Sequence, residues 1–301
     1  MKKLLFTGVC TAMVTPFLDG KVNYPMLEQL LQRQYAAGIT TVVIAGTTGE
    51  SATLTDEEKL ALFSRCKSYV GDSMQILAGT GSNATEHTVN LSREAEKLGV
   101  DGLLVVSPYY NKASASGLVA HYRAVAEAVS LPVVVYNVPS RTGQDIPVEV
   151  YRTLSKIPNI AGVKEASTSI TKILKIREAC GDALPIWAGN DDMATAVTAL
   201  GGKGVISVAS NLVPEWMDSM VSAALDGDFD TAASLQIKLQ PLCDFLFSEV
   251  SPIPIKAALQ RIGLDCGGCR MPLTGLTEAQ MAEFEKIFFG IYEKIHGMFI
   301  K

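Results

Sequence analysis

Residues 160–167 read IAGVKEAS, a run of small and β-branched residues with one lysine, Lys164, near its end. A continuous apolar run suits a strand buried on both faces, as in a parallel sheet covered by helices. Seven more such runs lie along the chain: LLFTGVC (4–10), TVVIAG (41–46), QILAGT (75–80), GLLVVS (102–107), PVVVYNV (132–138), PIWAG (185–189) and GVISVA (204–209). Between them come stretches with apolar residues at helical spacing and a glycine close behind, such as YPMLEQLLQRQYAAG (24–38) and TDEEKLALFSRCKSYVG (55–71). Thr55 and Glu58 form a capping box that fixes the start of one helix.

Eight β-α units within about 210 residues predict a closed (β/α)8 TIM barrel. A doubly wound open sheet is the alternative, but its usual G-x-G-x-x-G between first strand and first helix is missing. From Pro214 onward the patterns are helical only, as in DFDTAASLQIKLQPLCDFLF (228–247) and EAQMAEFEKIFFGIYEKI (278–295). The expected division is a barrel carrying the active site over residues 1–212 and a C-terminal helical extension over 213–301 packed on it.

The chain has 301 residues, 48% hydrophobic and 19% charged, with a formal net charge of −5. That is enough for a large core, and the charge balance offers nothing to a phosphate backbone or an anionic membrane surface. Nucleic acid and membrane are not expected partners. MKKLLFTGVC begins like a signal peptide, but Thr7, Gly8, Thr11, Thr15 and Pro16 interrupt the apolar stretch, which reads better as a first strand. No segment reaches the ~18 uninterrupted apolar residues of a membrane span. A cytoplasmic protein is expected. Six scattered cysteines, Cys10, Cys66, Cys180, Cys243, Cys266 and Cys269, fit buried thiols of a reducing compartment. Cys266-Gly-Gly-Cys269 lacks the second ligand pair of a zinc site and reads as a loop bearing thiols.

In a barrel of this kind the chemistry stands at the C-terminal strand ends. Those ends carry AGTTGES (45–51), SPYYNK (107–112), YNVPSRTG (136–143), VKEAS (163–167), AGNDD (188–192) and ISVASN (206–211). Lys164 sits where its stem enters an apolar mouth, and burial of an amine favours the neutral form that attacks a carbonyl. Pairing with Glu165 is the bland alternative, but adjacent strand residues point to opposite faces. The Gly-rich AGTTGES turn can cradle a small carboxylate with its backbone N–H groups. Tyr136 can relay a proton, and Arg141, on the loop after the fifth strand, can clamp a carboxylate. Asp191 and Asp192 precede MATAVTALGG and read as a helix cap rather than a metal site.

GTTGES, the tyrosine pair of SPYYNK, YNVPSRTG, GVKEAS and GVISV, in this order and spacing, resemble the dihydrodipicolinate synthase family. It is one branch of the pyruvate-dependent class I aldolases that also include N-acetylneuraminate lyase. The resemblance extends from TAMVTPF into the C-terminal helices. It implies that Lys164 forms an imine with pyruvate and that Thr47 and Thr48 hold the pyruvate carboxylate. Tyr136, Thr48 and Tyr110 would form a proton relay, with Tyr110 supplied by the neighbouring subunit of a homodimer or homotetramer. Arg141 would receive the carboxylate of L-aspartate 4-semialdehyde, Ile206 would face Lys164 through its backbone, and Gly189 would line the pocket. No metal or cofactor is implied, since an iminium is itself an electron sink. Sialic acid lyases typically lack the arginine and carry Ser-Thr in place of Thr47-Thr48. A non-enzymatic barrel binding a small carboxylate is a third reading, one that gives little reason to keep Lys164, Tyr136 and Tyr110 together.

Members inhibited by lysine bind it in a cleft between subunits, which Ser51, Ala52, Asn83 and Tyr109 match. His87 stands where such members commonly have an acid. A histidine that can gain a proton, with Lys59 nearby, is expected to repel the ligand's ammonium. Asp56 is expected to point outward in a capping role.

Overall fold

All eight runs are strands in the computed structural model, which describes residues 4–299. We number them β1 (Gly8–Ala12), β2 (Thr41–Ile44), β3 (Gln75–Gly79), β4 (Gly102–Val106), β5 (Val133–Asn137), β6 (Ile160–Glu165), β7 (Ile186–Ala188) and β8 (Gly204–Ser207). Consecutive strands pair in parallel, and β1 pairs with both β2 and β8 to close the barrel. The first strand starts at Gly8 rather than Leu4. Phe6, just ahead of it, instead stacks on Trp187 at 4.6 Å between ring centroids and joins the packing inside the barrel.

Strand side chains alternate between two apolar clusters, as the period of two requires. Cys10, Val43, Leu77, Leu104, Val134, Trp187 and Ile206 fill the barrel interior. Their neighbours Val9, Val42, Ile76, Leu103, Val133, Val163, Ile186 and Val205 face the helices. Lys164 takes the inner phase and Glu165 the outer.

The capping box forms in both directions: Glu58 N donates to Thr55 Oγ1 at 3.2 Å, and Thr55 N to Glu58 Oε2 at 3.0 Å. Helix Pro214–Leu225 packs on β1 and on the turn after β8. A division at 212 assigns it to the extension, whereas its packing makes it the eighth helix of the ring. Helices Phe229–Leu246, Ile253–Arg261 and Glu278–Phe299 follow. Among the described residues no helix is long and apolar enough to cross a membrane.

Candidate active site

Lys164 and Glu165 leave β6 on opposite faces and have separate partners. Glu165 is buried behind the barrel wall, where its carboxylate accepts from Tyr151 Oη (2.8 Å), Asn137 Nδ2 (2.7 Å) and Ser167 N (2.9 Å). Lys172 adds its ammonium 3.7 Å from Glu165 Oε2 and also binds Asp145. Burial, reinforced by Glu165, pushes the Tyr151 phenol well above its ordinary value, so it stays a donor. Lys164 is thereby left unpaired with its neighbour, as strand geometry requires.

Lys164 is 4% exposed, and its Nζ stands 4.5 Å from the ring centroid of Tyr136, its partner in the β5–β6 register. Behind it lies Cys10, whose thiol is pushed well up by burial and is therefore inert. Both Lys164 and Tyr136 line a cavity of about 450 Å³ at the C-terminal strand ends, together with Thr47, Thr48, Arg141 and Gly189. Gly189 is required there: a Cβ would lie 2.5 Å from that of Ala166. Six of the expected site residues thus meet in one space.

The remaining expectations fare differently. Ile206 is fully buried in the interior layer opposite Cys10. The cavity wall on the β8 side is Val208 instead. Arg141 stands on a one-turn helix, Pro139–Thr142, rather than a loop, and its Nη2 donates to the Ser251 carbonyl at 3.3 Å. Tyr110 is 90% exposed, outside the cavity of its own chain, and holds a left-handed backbone (φ +72°). For a non-glycine residue that conformation is uncommon and needs surrounding support.

Asp191 is buried and caps no helix of its own. Its Oδ2 accepts from Val208 N and Ala209 N, both at 3.0 Å, which pins the turn after β8. Burial raises its pKa, with hydrogen bonds from Ser207, Ala209 and Val208 opposing. Cys266 and Cys269 are free thiols, pushed up to about 12 and about 11 chiefly by burial. Of the two glycines between them, Gly267 has a steric purpose and Gly268 faces open space. Gly267 (φ +65°) passes Phe17 so closely that a Cβ would lie 2.2 Å from its carbonyl oxygen.

A second cavity of about 540 Å³ adjoins the first through Thr47, Tyr136 and Arg141 and is lined by Ser51, Ala52, Asp56, Lys59, His87 and Tyr109. Asn83 does not line it; its carbonyl accepts from Asn111 Nδ2 at 2.9 Å. Asp56 corrects the expectation of an outward cap. Thr55 and Glu58 already satisfy the helix start, so Asp56 turns to His87 Nε2 (2.6 Å) and Lys59 Nζ (3.5 Å). Partial burial works to raise the Asp56 carboxyl, but the hydrogen bond and charge of His87, with Lys59, hold it below its ordinary value.

Sequence reading missed one wall entirely. Phe247, Ser248, Glu249, Val250 and Ser251 border the Lys164 cavity, immediately after helix Phe229–Leu246. The prolines at 252 and 254 signal that the helix stops here, but nothing local says where the loop goes.

These features define a (β/α)8 barrel with a lysine-centred cavity at the strand ends where barrel enzymes work. Residues 5–289 match the Dihydrodipicolinate synthetase family, and the chain belongs to it. It is 43% identical over 278 residues to the 4-hydroxy-tetrahydrodipicolinate synthase of Acetivibrio thermocellus, covering 92% of this chain and 94% of that one. The structure of the 4-hydroxy-tetrahydrodipicolinate synthase from Methylacidiphilum fumariolicum superposes with a TM-score of 0.94 at 39% identity, over 97% of this chain and 98% of that one. A chloride-inhibited dihydrodipicolinate synthase from Acinetobacter baumannii, solved in complex with pyruvate, superposes at 0.93 with 37% identity, over 95% and 99% of the two chains.

Proposed function

We propose that this enzyme condenses pyruvate with L-aspartate 4-semialdehyde through an imine on Lys164, giving 4-hydroxy-tetrahydrodipicolinate in lysine and diaminopimelate biosynthesis. The observation that carries the reading is a buried lysine opening into a cavity whose other polar groups suit two carboxylates. The Lys164 amine attacks the pyruvate keto carbon and water leaves, forming the imine. The positive nitrogen then draws off the electrons of a methyl C–H bond, the proton departs, and an enamine results. That carbon attacks the aldehyde, whose oxygen takes up a proton. Finally the amine of the adduct attacks the imine carbon, the ring closes and Lys164 is released.

The surrounding residues supply what those steps need. Thr47 and Thr48 sit on the turn after β2, where hydroxyl and backbone donors can hold the pyruvate carboxylate. A phenol is a poor base at its ordinary pKa, so Tyr136 works as part of a relay with Thr48 and with Tyr110 of a second subunit. The exposure of Tyr110 supports its use across a homodimer or homotetramer interface. Arg141 faces the same cavity and takes the semialdehyde carboxylate, while Gly189 and Val208 line the wall beside Lys164. The reaction needs no metal or cofactor, and the site of action is the cytoplasm.

Pyruvate with borohydride should add one adduct per chain, mapped by mass spectrometry to Lys164. A coupled assay should turn over pyruvate with L-aspartate 4-semialdehyde and not with N-acetylmannosamine. An adduct that persists in Lys164→Ala refutes the imine assignment.

A further inference from the structure

The turn that carries Thr47 and Thr48 ends at Glu50, a non-glycine residue in the left-handed region (φ +56°) with a side chain 1% exposed. Both of its carboxylate oxygens are engaged by the far end of the chain. Oε1 lies 2.6 Å from Lys256 Nζ in a buried ion pair. Oε2 accepts the backbone N–H of Arg270 at 2.8 Å, from 220 residues further along.

Each cation is itself held in place. The Lys256 ammonium, 3% exposed, donates to the Gly268 carbonyl at 3.0 Å and stands 4.3 Å over the Phe17 ring. The Arg270 guanidinium clamps both oxygens of Glu58 at 2.7 and 2.6 Å. It also donates to the carbonyls of Thr53 (3.0 Å) and Gly20 (2.8 Å). Neither residue lines the cavity that contains Lys164. A buried ion pair is weak as a source of stability, since apolar isosteres often do as well, but removing one partner strands the other charge in the interior. A strained non-glycine backbone persists only where its surroundings over-determine it.

We propose that Lys256 and Arg270 are positioning residues: through Glu50 they fix the turn so that Thr47 and Thr48 meet the pyruvate carboxylate. This rests on the reading of Thr47 and Thr48 given above.

The test compares Lys256→Met and Arg270→Ala with wild type in three measurements: the pyruvate concentration that half-saturates borohydride trapping on Lys164, the KM for semialdehyde, and Tm. Displacing a binding group by about 1 Å can cost up to roughly 100-fold, so half-saturation should rise roughly tenfold in Arg270→Ala and further in Lys256→Met. The semialdehyde KM should stay within about twofold, because Arg141 is held separately. Arg270→Lys, which keeps the charge but loses the two-pronged clamp, should resemble Arg270→Ala. The double variant Glu50→Gln/Lys256→Met should regain Tm without regaining pyruvate affinity. A purely structural role would lower Tm and affect both substrates alike. Unchanged half-saturation in a folded variant, or a proportionate rise for both substrates, overturns the proposal. If Lys256→Met does not fold, Arg270→Ala decides alone. A wild-type chain that traps no pyruvate refutes the imine reading itself, before any variant is compared.

Discussion

Asp56 and His87 meet at 2.6 Å across the wall of the cavity beside the Lys164 site, with Lys59 closing on the other oxygen of the same carboxylate. The carboxylate that could receive an incoming ammonium is therefore already engaged on both oxygens. An amino-acid effector with a cationic side chain must displace one of these partners before it gains a contact. L-lysine is expected to inhibit weakly or not at all between pH 7 and 8, as an inhibition titration will show. Half-inhibition at sub-millimolar concentration would mean that the ammonium has found another acceptor.

Arg141 is tethered to the Ser251 carbonyl at 3.3 Å and otherwise opens to the cavity. Losing a charged hydrogen-bond partner costs about 1.5–3 kcal/mol, roughly 10-fold to 150-fold in an equilibrium constant. Arg141→Ala should lower kcat/KM for the semialdehyde by that factor and leave borohydride trapping of pyruvate nearly unchanged. Equal losses in both assays would identify Arg141 as structural.

Tyr110 stands away from the cavity of its own chain, so its removal should act on a neighbour's site. Tyr110→Phe and Lys164→Ala are each expected to be nearly inactive. Co-expressed and mixed, they should recover activity, because one of the two shared sites then has both the lysine and the phenol. Subunit exchange followed by assay checks this, and mixtures that stay inactive would place the phenol's action elsewhere.

The clamp between Arg270 and Glu58 has a calculable pH dependence. Hydrogen bonds from the guanidinium hold the Glu58 carboxyl below its ordinary 4.5, with burial opposing only in part. Since the folded value is the lower one, the stabilisation is fully present above about 4.5 and is lost as pH falls through the folded value. Glu58→Gln should therefore destabilise the protein by about 1 kcal/mol at neutral pH, a difference that closes on acidification. Thermal unfolding across the acid range measures it; a gap that does not narrow would assign the loss to packing.

The barrel was legible because its strands are written as local patterns: eight apolar runs, each followed by an amphipathic helix. Lys164 could be found for the same reason, since a charge inside such a run is conspicuous. What could not be read depends on contacts between distant parts of the chain. The hold of Arg141 on Ser251 spans 110 residues and that of Glu50 on Arg270 spans 220, and neither leaves a periodic trace. Asp56 misled for a subtler reason. The first turn of a helix favours an acid there by dipole alone, but the capping box was already complete, which freed Asp56 to answer His87. Helix Pro214–Leu225 shows the limit of dividing a chain by its patterns: it reads like the helices after it and packs like those before it.

The bracing of Glu50 by residues 256 and 270 also imposes an order on synthesis. A ribosome delivers the Thr47–Thr48 turn early and Lys164 midway, but the cation and the amide that secure the turn emerge only near the end. A nascent chain stopped after residue 225 would possess every strand of the barrel, Lys164 and the full helical ring, yet the turn that carries Thr47 and Thr48 would have no counterion beneath it.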